Sequence, residues 1–123
     1  MHCVFCSLAE EKIVLQNDSF YAINDAFPVK PGHMLIITRR HAQNIFELSK
    51  EEFATLQDIL QQVKSYLEKE YKPDGYNIGA NTGSVAGQSI KHFHLHVIPR
   101  YYNDPKSCLI KKGIKKLREY YLN

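Results

Sequence analysis

The stretch from Ser49 to Gly75 constrains the fold more than any other part of the chain. Ser49 and Glu52 have the spacing of a capping box, in which a hydroxyl and a carboxylate satisfy the first orphan N–H groups of a helix. Phe53, Leu56, Leu60, Val63 and Leu67 then recur every three or four residues, the period that aligns one face of an α-helix. The spacing predicts a helix from about Lys50 to Glu70, stopped by the turn "KPDG" at Lys72 to Gly75. Its apolar stripe needs a partner surface.

Extended segments supply that surface: "SFYAIN" (Ser19 to Asn24), "HMLIIT" (His33 to Thr38), "YNIGAN" (Tyr76 to Asn81) and "HFHLHVIP" (His92 to Pro99). Each is bounded by Gly, Pro, Asn or Asp. A weaker candidate, "IVLQ", lies at Ile13. Only one long helix interrupts these strands, which excludes repeated βαβ units and predicts an α+β fold with a mainly antiparallel sheet and helices to one side. With 123 residues, the chain is expected to be one domain over 1–123. The segment 106–123, with "KKGIKKLREYYLN", reads as a late basic helix or tail.

Hydrophobic residues make up 44% of the chain and charged residues 24%, which excludes a disordered or collagen-like chain. No apolar run approaches the ~18 residues that a membrane span needs, and "MHCVFCSLAEE" has acidic residues where a signal peptide is apolar. The expectation is a cytoplasmic protein without a membrane partner. After Pro105 there are six Lys or Arg and one acidic residue, against ten and twelve before it. A basic end suits a phosphate-bearing ligand or nucleic acid, but a solvated Lys-rich helix explains it equally simply. Cys3 and Cys6 form a C-x-x-C with Cys108 alone, too few for a disulfide framework, so a metal or redox pair is indicated.

The most unusual pattern is "HFHLHVIPR" (His92 to Arg100). On a β-strand, His92, His94 and His96 project one way while Phe93, Leu95 and Val97 project the other. The apolar set can pack beneath the helix. His92 and His96 would stand about 13 Å apart along such a strand, too far for all three rings to share one metal, although adjacent pairs could. Just upstream, "NTGSVAGQSIK" places Gly83 and Gly87 around a small-residue loop, a form that brings backbone N–H groups close to an anion, with Gln88 and Ser89 beside it.

His92-Phe-His94-Leu-His96-Val-Ile resembles the signature His-φ-His-φ-His-φ-φ of the histidine triad (HIT) family. Asn81-x-Gly83 and Ala86-Gly87-Gln88-Ser89 resemble that family's phosphate loop, and "FYAINDAFPVKPGHMLIITRRH" resembles its preceding strand, loop and strand. The likeness runs from about Cys3 to Arg100. It implies an antiparallel sheet with one long helix, a small-molecule nucleotide substrate and a homodimer. It also implies that His94 is a nucleophile attacking the nucleotide α-phosphorus to form a covalent nucleotidyl-histidine, which splits one difficult displacement into two. The ring's other nitrogen would donate to the backbone carbonyl of His92. By the same resemblance, His96, Asn81, Gly87, Gln88 and Ser89 would hold phosphate oxygens, and His33 would stand beside the nucleophile. Asp25 would bind the ribose hydroxyls, and Val4, Phe5, Leu8, Ile23 and Ala26 would line the base pocket or belong to the core.

Two cysteine sulfurs leave a tetrahedral zinc site half filled. In family members with this cysteine pair, zinc is completed by the first triad histidine and one after the second strand, which implies Cys3, Cys6, His41 and His92 here; His2 is an alternative ligand. Four protein ligands imply a structural role for Zn2+. The third histidine separates the chain from the galactose-1-phosphate uridylyltransferase branch, which has glutamine there. Ile98-Pro99-Arg100 differs from the Gly-Gly-Arg of the nucleotide phosphoramidase branch. The expected activity is hydrolysis of dinucleoside polyphosphates or related adenylyl compounds. An adenosine 5′-phosphoramidase, a nucleotide-binding protein without turnover, and a metal enzyme using His94 and His96 are the alternatives.

Overall fold

The computed structural model describes residues 3–106. The late basic segment, apart from Lys106 at its start, lies outside the described residues, as do Cys108 and His2. The elements in chain order are β1 (Ile13–Gln16), β2 (Phe20–Asn24), β3 (Met34–Thr38), α1 (Lys50–Glu70), β4 (Gly75–Gly79) and β5 (His94–Arg100). Short 3-10 turns lie at Glu10–Lys12, Ile45–Glu47 and Ser84–Ala86. The strands form one antiparallel sheet in the order β1-β2-β3-β5-β4. The α+β expectation holds, including the weak strand at Ile13.

Helix α1 begins and ends where its sequence signals stand. The Ser49 side chain accepts from the Glu52 N–H at 3.1 Å while the Glu52 carboxylate accepts from the Ser49 N–H at 2.9 Å. Its last turn closes through Lys72, at φ 50°, whose N–H donates to the Leu67 carbonyl. The stripe is shifted from expectation. Leu56, Ile59, Val63 and Leu67 are its buried residues, whereas Phe53 is 46% exposed. They pack on Phe20, Ala22, Met34, Ile36, Phe93, Leu95 and Val97. Each large apolar side chain buried there contributes about 1.5–3 kcal/mol.

The sheet has two different faces, and strand periodicity decides which residues meet on each. Tyr21 and Ile23 on β2 pair with Ile37 and Leu35 on β3, and those pair in turn with His94 and His96 on β5. Phe5, Tyr21, Ile23, Leu35 and Ile37 form a second buried cluster on this side, joined by Cys3, Leu8, Ile13 and Ile90. The amino-terminal segment thus covers the face that α1 leaves open, and the Tyr21 hydroxyl fastens it by donating to the Phe5 carbonyl.

The histidine run is not strand throughout. β5 starts at His94, and His92 lies in the bend before it, fully buried. The expectation of three rings on one strand is therefore corrected: two belong to the strand, while His92 precedes it and still shares with His94 the side that Phe5 covers.

Candidate active site and metal centre

The bend joins two clusters. On the amino-terminal side, the ligand atoms of Cys3, Cys6, His41 and His92 all lie within 4.8 Å of one another. His92 Nδ1 stands 3.3 Å from Cys3 Sγ and 3.5 Å from Cys6 Sγ, and His41 Nδ1 stands 3.1 Å from Cys6 Sγ. A tetrahedral zinc at its usual bond lengths separates such donors by roughly 3.3–3.8 Å, so the set fits. His92 Nε2 donates to the Thr38 carbonyl at 2.7 Å, which leaves Nδ1 to present its lone pair to a cation. Burial holds the His92 pKa below its usual value. The hydrogen bond with Cys3 pushes the Cys6 thiol up, a preference that a bound cation reverses.

On the strand side, His94 Nδ1 donates to the His92 carbonyl at 2.8 Å. Its proton is therefore on Nδ1, and Nε2 keeps a free lone pair for attack. Phe5 packs edge-on against both rings, 5.8 Å from His92 and 5.3 Å from His94 between centroids. One backbone peptide and one phenyl ring thus tie the Cys–His cluster to His94.

Asp25, His33 and His96 form a third group by strand continuation. Asp25 lies two residues beyond Ile23 and His33 two before Leu35, and the Asp25 N–H extends the ladder to the His33 carbonyl at 3.0 Å. His33 Nε2 reaches His96 Nδ1 at 3.0 Å and Asp25 Oδ2 at 3.3 Å. Burial lowers the pKa of His33, with Asp25 opposing, and pushes His96 down to about 4. Both rings are neutral at ordinary pH.

Two of the expected phosphate-binding residues also hold the loop of 81–89 together. The Gln88 side chain is buried and hydrogen-bonded to backbone groups in and beyond the loop. Its oxygen accepts from the Gly83 N–H at 2.8 Å, and its amide donates to the carbonyls of Gln43 at 2.6 Å and Ile90 at 3.0 Å. Gly87, at φ 100°, turns its N–H onto the Ser84 carbonyl. Both groups shape the loop. Asn81 makes only a long 3.4 Å bond to the Gly87 carbonyl, and Ser89 stands exposed. Ser89 lines a cavity of about 810 Å³ with Cys3, Val4, Cys6, Ser7, His41, Ile90 and Lys91, on the metal side of the loop.

Among the expected base-pocket residues, Phe5 and Ile23 are 6% exposed and belong to the second core cluster, with Leu8 packed against it. Val4 and Ala26 are exposed. Asp25 Oδ1 accepts from the Phe27 N–H at 2.9 Å, so its carboxylate braces a turn as well as His33. Sequence reasoning missed the Thr38 carbonyl, the Val29 N–H that donates to His33 Nδ1 at 3.2 Å, and the Gln43 carbonyl. These are backbone groups, which leave no side-chain signature.

The HIT domain family model matches residues 7–103. An uncharacterised HIT-like protein of Saccharolobus solfataricus is 35% identical over 126 residues, covering 97% of this chain and 89% of that protein. A bis(5′-adenosyl)-triphosphatase of Dictyostelium discoideum is 32% identical over 91% of this chain and 76% of its own. The crystal structure of a zinc-bound histidine triad family protein from Mycobacterium smegmatis superposes with a TM-score of 0.76 at 27% identity, covering 96% of each chain. With the triad sequence, the five-stranded sheet and a domain match over most of its length, the chain belongs to the histidine triad family.

Proposed function

We propose that this protein is a nucleotide hydrolase that cleaves at the α-phosphate of an adenine-type nucleotide through a covalent intermediate on His94. The observation that carries this reading is the bond from His94 Nδ1 to the His92 carbonyl, which leaves Nε2 as an unprotonated nucleophile at the surface of the sheet. His96 and His33 stand beside it, with Asn81, Gly87, Gln88 and Ser89 of the loop as the phosphate-binding groups. Val4, Leu8 and Ala26 are the apolar groups left to meet a base, and Asp25 to meet a ribose. Zinc on Cys3, Cys6, His41 and His92 would supply a structural pin with no open position, holding the amino-terminal segment over the catalytic face. The zinc-bound relative and the adenosyl-triphosphatase relative support the two halves of this reading.

The proposal includes pairing of two copies, supported by the sheet edge that β4 forms among the described residues and by Ile78 on that strand, which is 47% exposed. Among the described residues, no helix is long and apolar enough to cross a membrane. The activity is tested by incubating the protein with diadenosine polyphosphates and with adenosine phosphoramidate, beside a His94→Ala control. Turnover of at least one nucleotide, reduced a thousandfold or more in the control, is the expected result. Equal turnover by His94→Ala refutes the assignment, and tight binding without turnover by wild type favours a sensing role.

A further inference from the structure

The end of β5 and the turn of 101–104 beyond it grip the loop between β2 and β3. The Asp104 N–H donates to the Tyr101 carbonyl at 2.8 Å, and Asp104 Oδ2 accepts from the Tyr101 N–H at 3.0 Å and from Arg100 Nε at 3.1 Å. The other carboxylate oxygen, Oδ1, accepts from Lys30 Nζ at 2.9 Å. Arg100 is itself tied to Asn77 Oδ1 and to the Pro105 carbonyl, both at 2.6 Å. The Tyr101 hydroxyl donates to the Pro31 carbonyl at 2.7 Å, and the Pro99 ring lies 3.0 Å from where a Gly32 Cβ would stand. Pro99, Tyr101 and Asp104 thus hold Gly32, Pro31 and Lys30 in turn. The side chains of Lys30 and Asp104 are 27% and 14% exposed, against 55% and 48% for the Lys64–Glu68 pair on α1, so the first pair has a fixed geometry to impose and the second has little.

His33 follows this loop and depends on it at two atoms. Its N–H donates to the Lys30 carbonyl at 3.1 Å, and its Nδ1 accepts from the Val29 N–H at 3.2 Å. The neutral ring therefore carries its proton on Nε2, which lies 3.0 Å from His96 Nδ1 and 3.3 Å from Asp25 Oδ2. A shift of the loop that draws Val29 away frees Nδ1 to take the proton and breaks the bond to His96. Asp104 does not release its hold in mild acid. The Tyr101 N–H and then the Lys30 ammonium hold its pKa down at about 2.

Resting on the functional reading above, we propose that Asp104 and Tyr101 are positioning residues for the reaction, acting through Lys30 and Pro31 to keep His33 in the tautomer that donates to His96. The charge pair and the hydroxyl fix the loop, the loop fixes the Val29 N–H, and that N–H decides which nitrogen of His33 bears the proton.

The test records the ring nitrogens of His33 by 15N NMR in the full chain, since a nitrogen bearing a proton and one bearing a lone pair resonate far apart. Wild type is expected to show His33 unprotonated on Nδ1. Asp104→Ala and Tyr101→Phe are each expected to give a mixture of tautomers and to lower kcat roughly tenfold, with a smaller change in KM. Tyr101→Phe removes one oxygen atom and keeps the ring, so it decides the matter should Asp104→Ala fail to fold. Glu68→Gln, which breaks the exposed pair on α1, is expected to change neither reading. Variants that lose thermal stability while the His33 nitrogens and kcat stay as in wild type overturn the inference, as does a wild-type His33 protonated on Nδ1. Absence of turnover by wild type overturns the functional reading, and the ring signals alone then decide whether the turn of 101–104 positions His33.

Discussion

His92 and His94 are two residues apart and have opposite duties. His92 turns Nδ1 to two thiols and gives its carbonyl to Nδ1 of His94, whose Nε2 is left with its lone pair. Loss of the His94 side chain therefore removes chemistry without touching the metal set, whereas loss of the His92 side chain removes a ligand and loosens the bend. His94→Ala is expected to abolish turnover and keep one zinc per chain by elemental analysis; His92→Ala is expected to lose both. Unchanged zinc in His92→Ala would refute the ligand assignment. At the same scale, His96 titrates near 6.5 when unfolded and is held at about 4 when folded. Between these values the unfolded chain binds a proton that the folded one refuses. Stability from this group is therefore complete above pH 6.5 and declines as pH falls toward 4, by up to about 3 kcal/mol. His33 acts in the same sense. With both proteins freed of metal by chelation, urea unfolding of wild type between pH 6.5 and 4.5 is expected to lose more stability than His96→Asn; identical slopes would contradict it. These residue duties were legible only in part. The alternation of "HFHLHVIP" showed imidazoles gathered for a purpose, but the bend that removes His92 from the strand, and the Val29 N–H and Thr38 carbonyl that fix protons, belong to backbone geometry.

At the scale of elements, the turn before β3 sets His33. The His33 N–H donates to the Lys30 carbonyl at 3.1 Å, and Gly32 between them has φ +89°. A Cβ there would lie 3.0 Å from Pro99 and Tyr71 and 3.2 Å from Leu67, so both the backbone conformation and the packing demand glycine. Gly32→Ala is expected to cost about 1–3 kcal/mol in thermal or urea unfolding and to reduce activity by displacing His33. Gly75→Ala is the control: no atom lies within 4 Å of its Cβ position, and the cost should stay under ~1 kcal/mol. Comparable losses in the two variants would contradict this account of the turn. The helix was read correctly to both ends because its cap is a side-chain device written in Ser49 and Glu52. Its stripe was read one turn too early at Phe53, since periodicity alone does not reveal where the opposing sheet begins.

For the whole molecule, the sheet separates stability from chemistry. α1 buries one face with aliphatic residues, and the other face carries His94 and His96 under a short amino-terminal segment. That division was visible in the sequence, because one amphipathic helix and one strand with apolar and imidazole faces admit few arrangements. The loop was less legible: its composition suggests an anion cradle but gives no sign that the Gln88 amide also ties the loop to the Gln43 carbonyl. At the centre of the proposal is His94 as nucleophile, held by one peptide carbonyl. Rapid mixing of the protein with a diadenosine polyphosphate, quenching in alkaline denaturant, and mass spectrometry of the digested chain tests this directly. The account predicts one adenylyl group on the peptide carrying His94, absent from His94→Ala. Turnover with no adduct at His94, or an adduct on another residue, would contradict it.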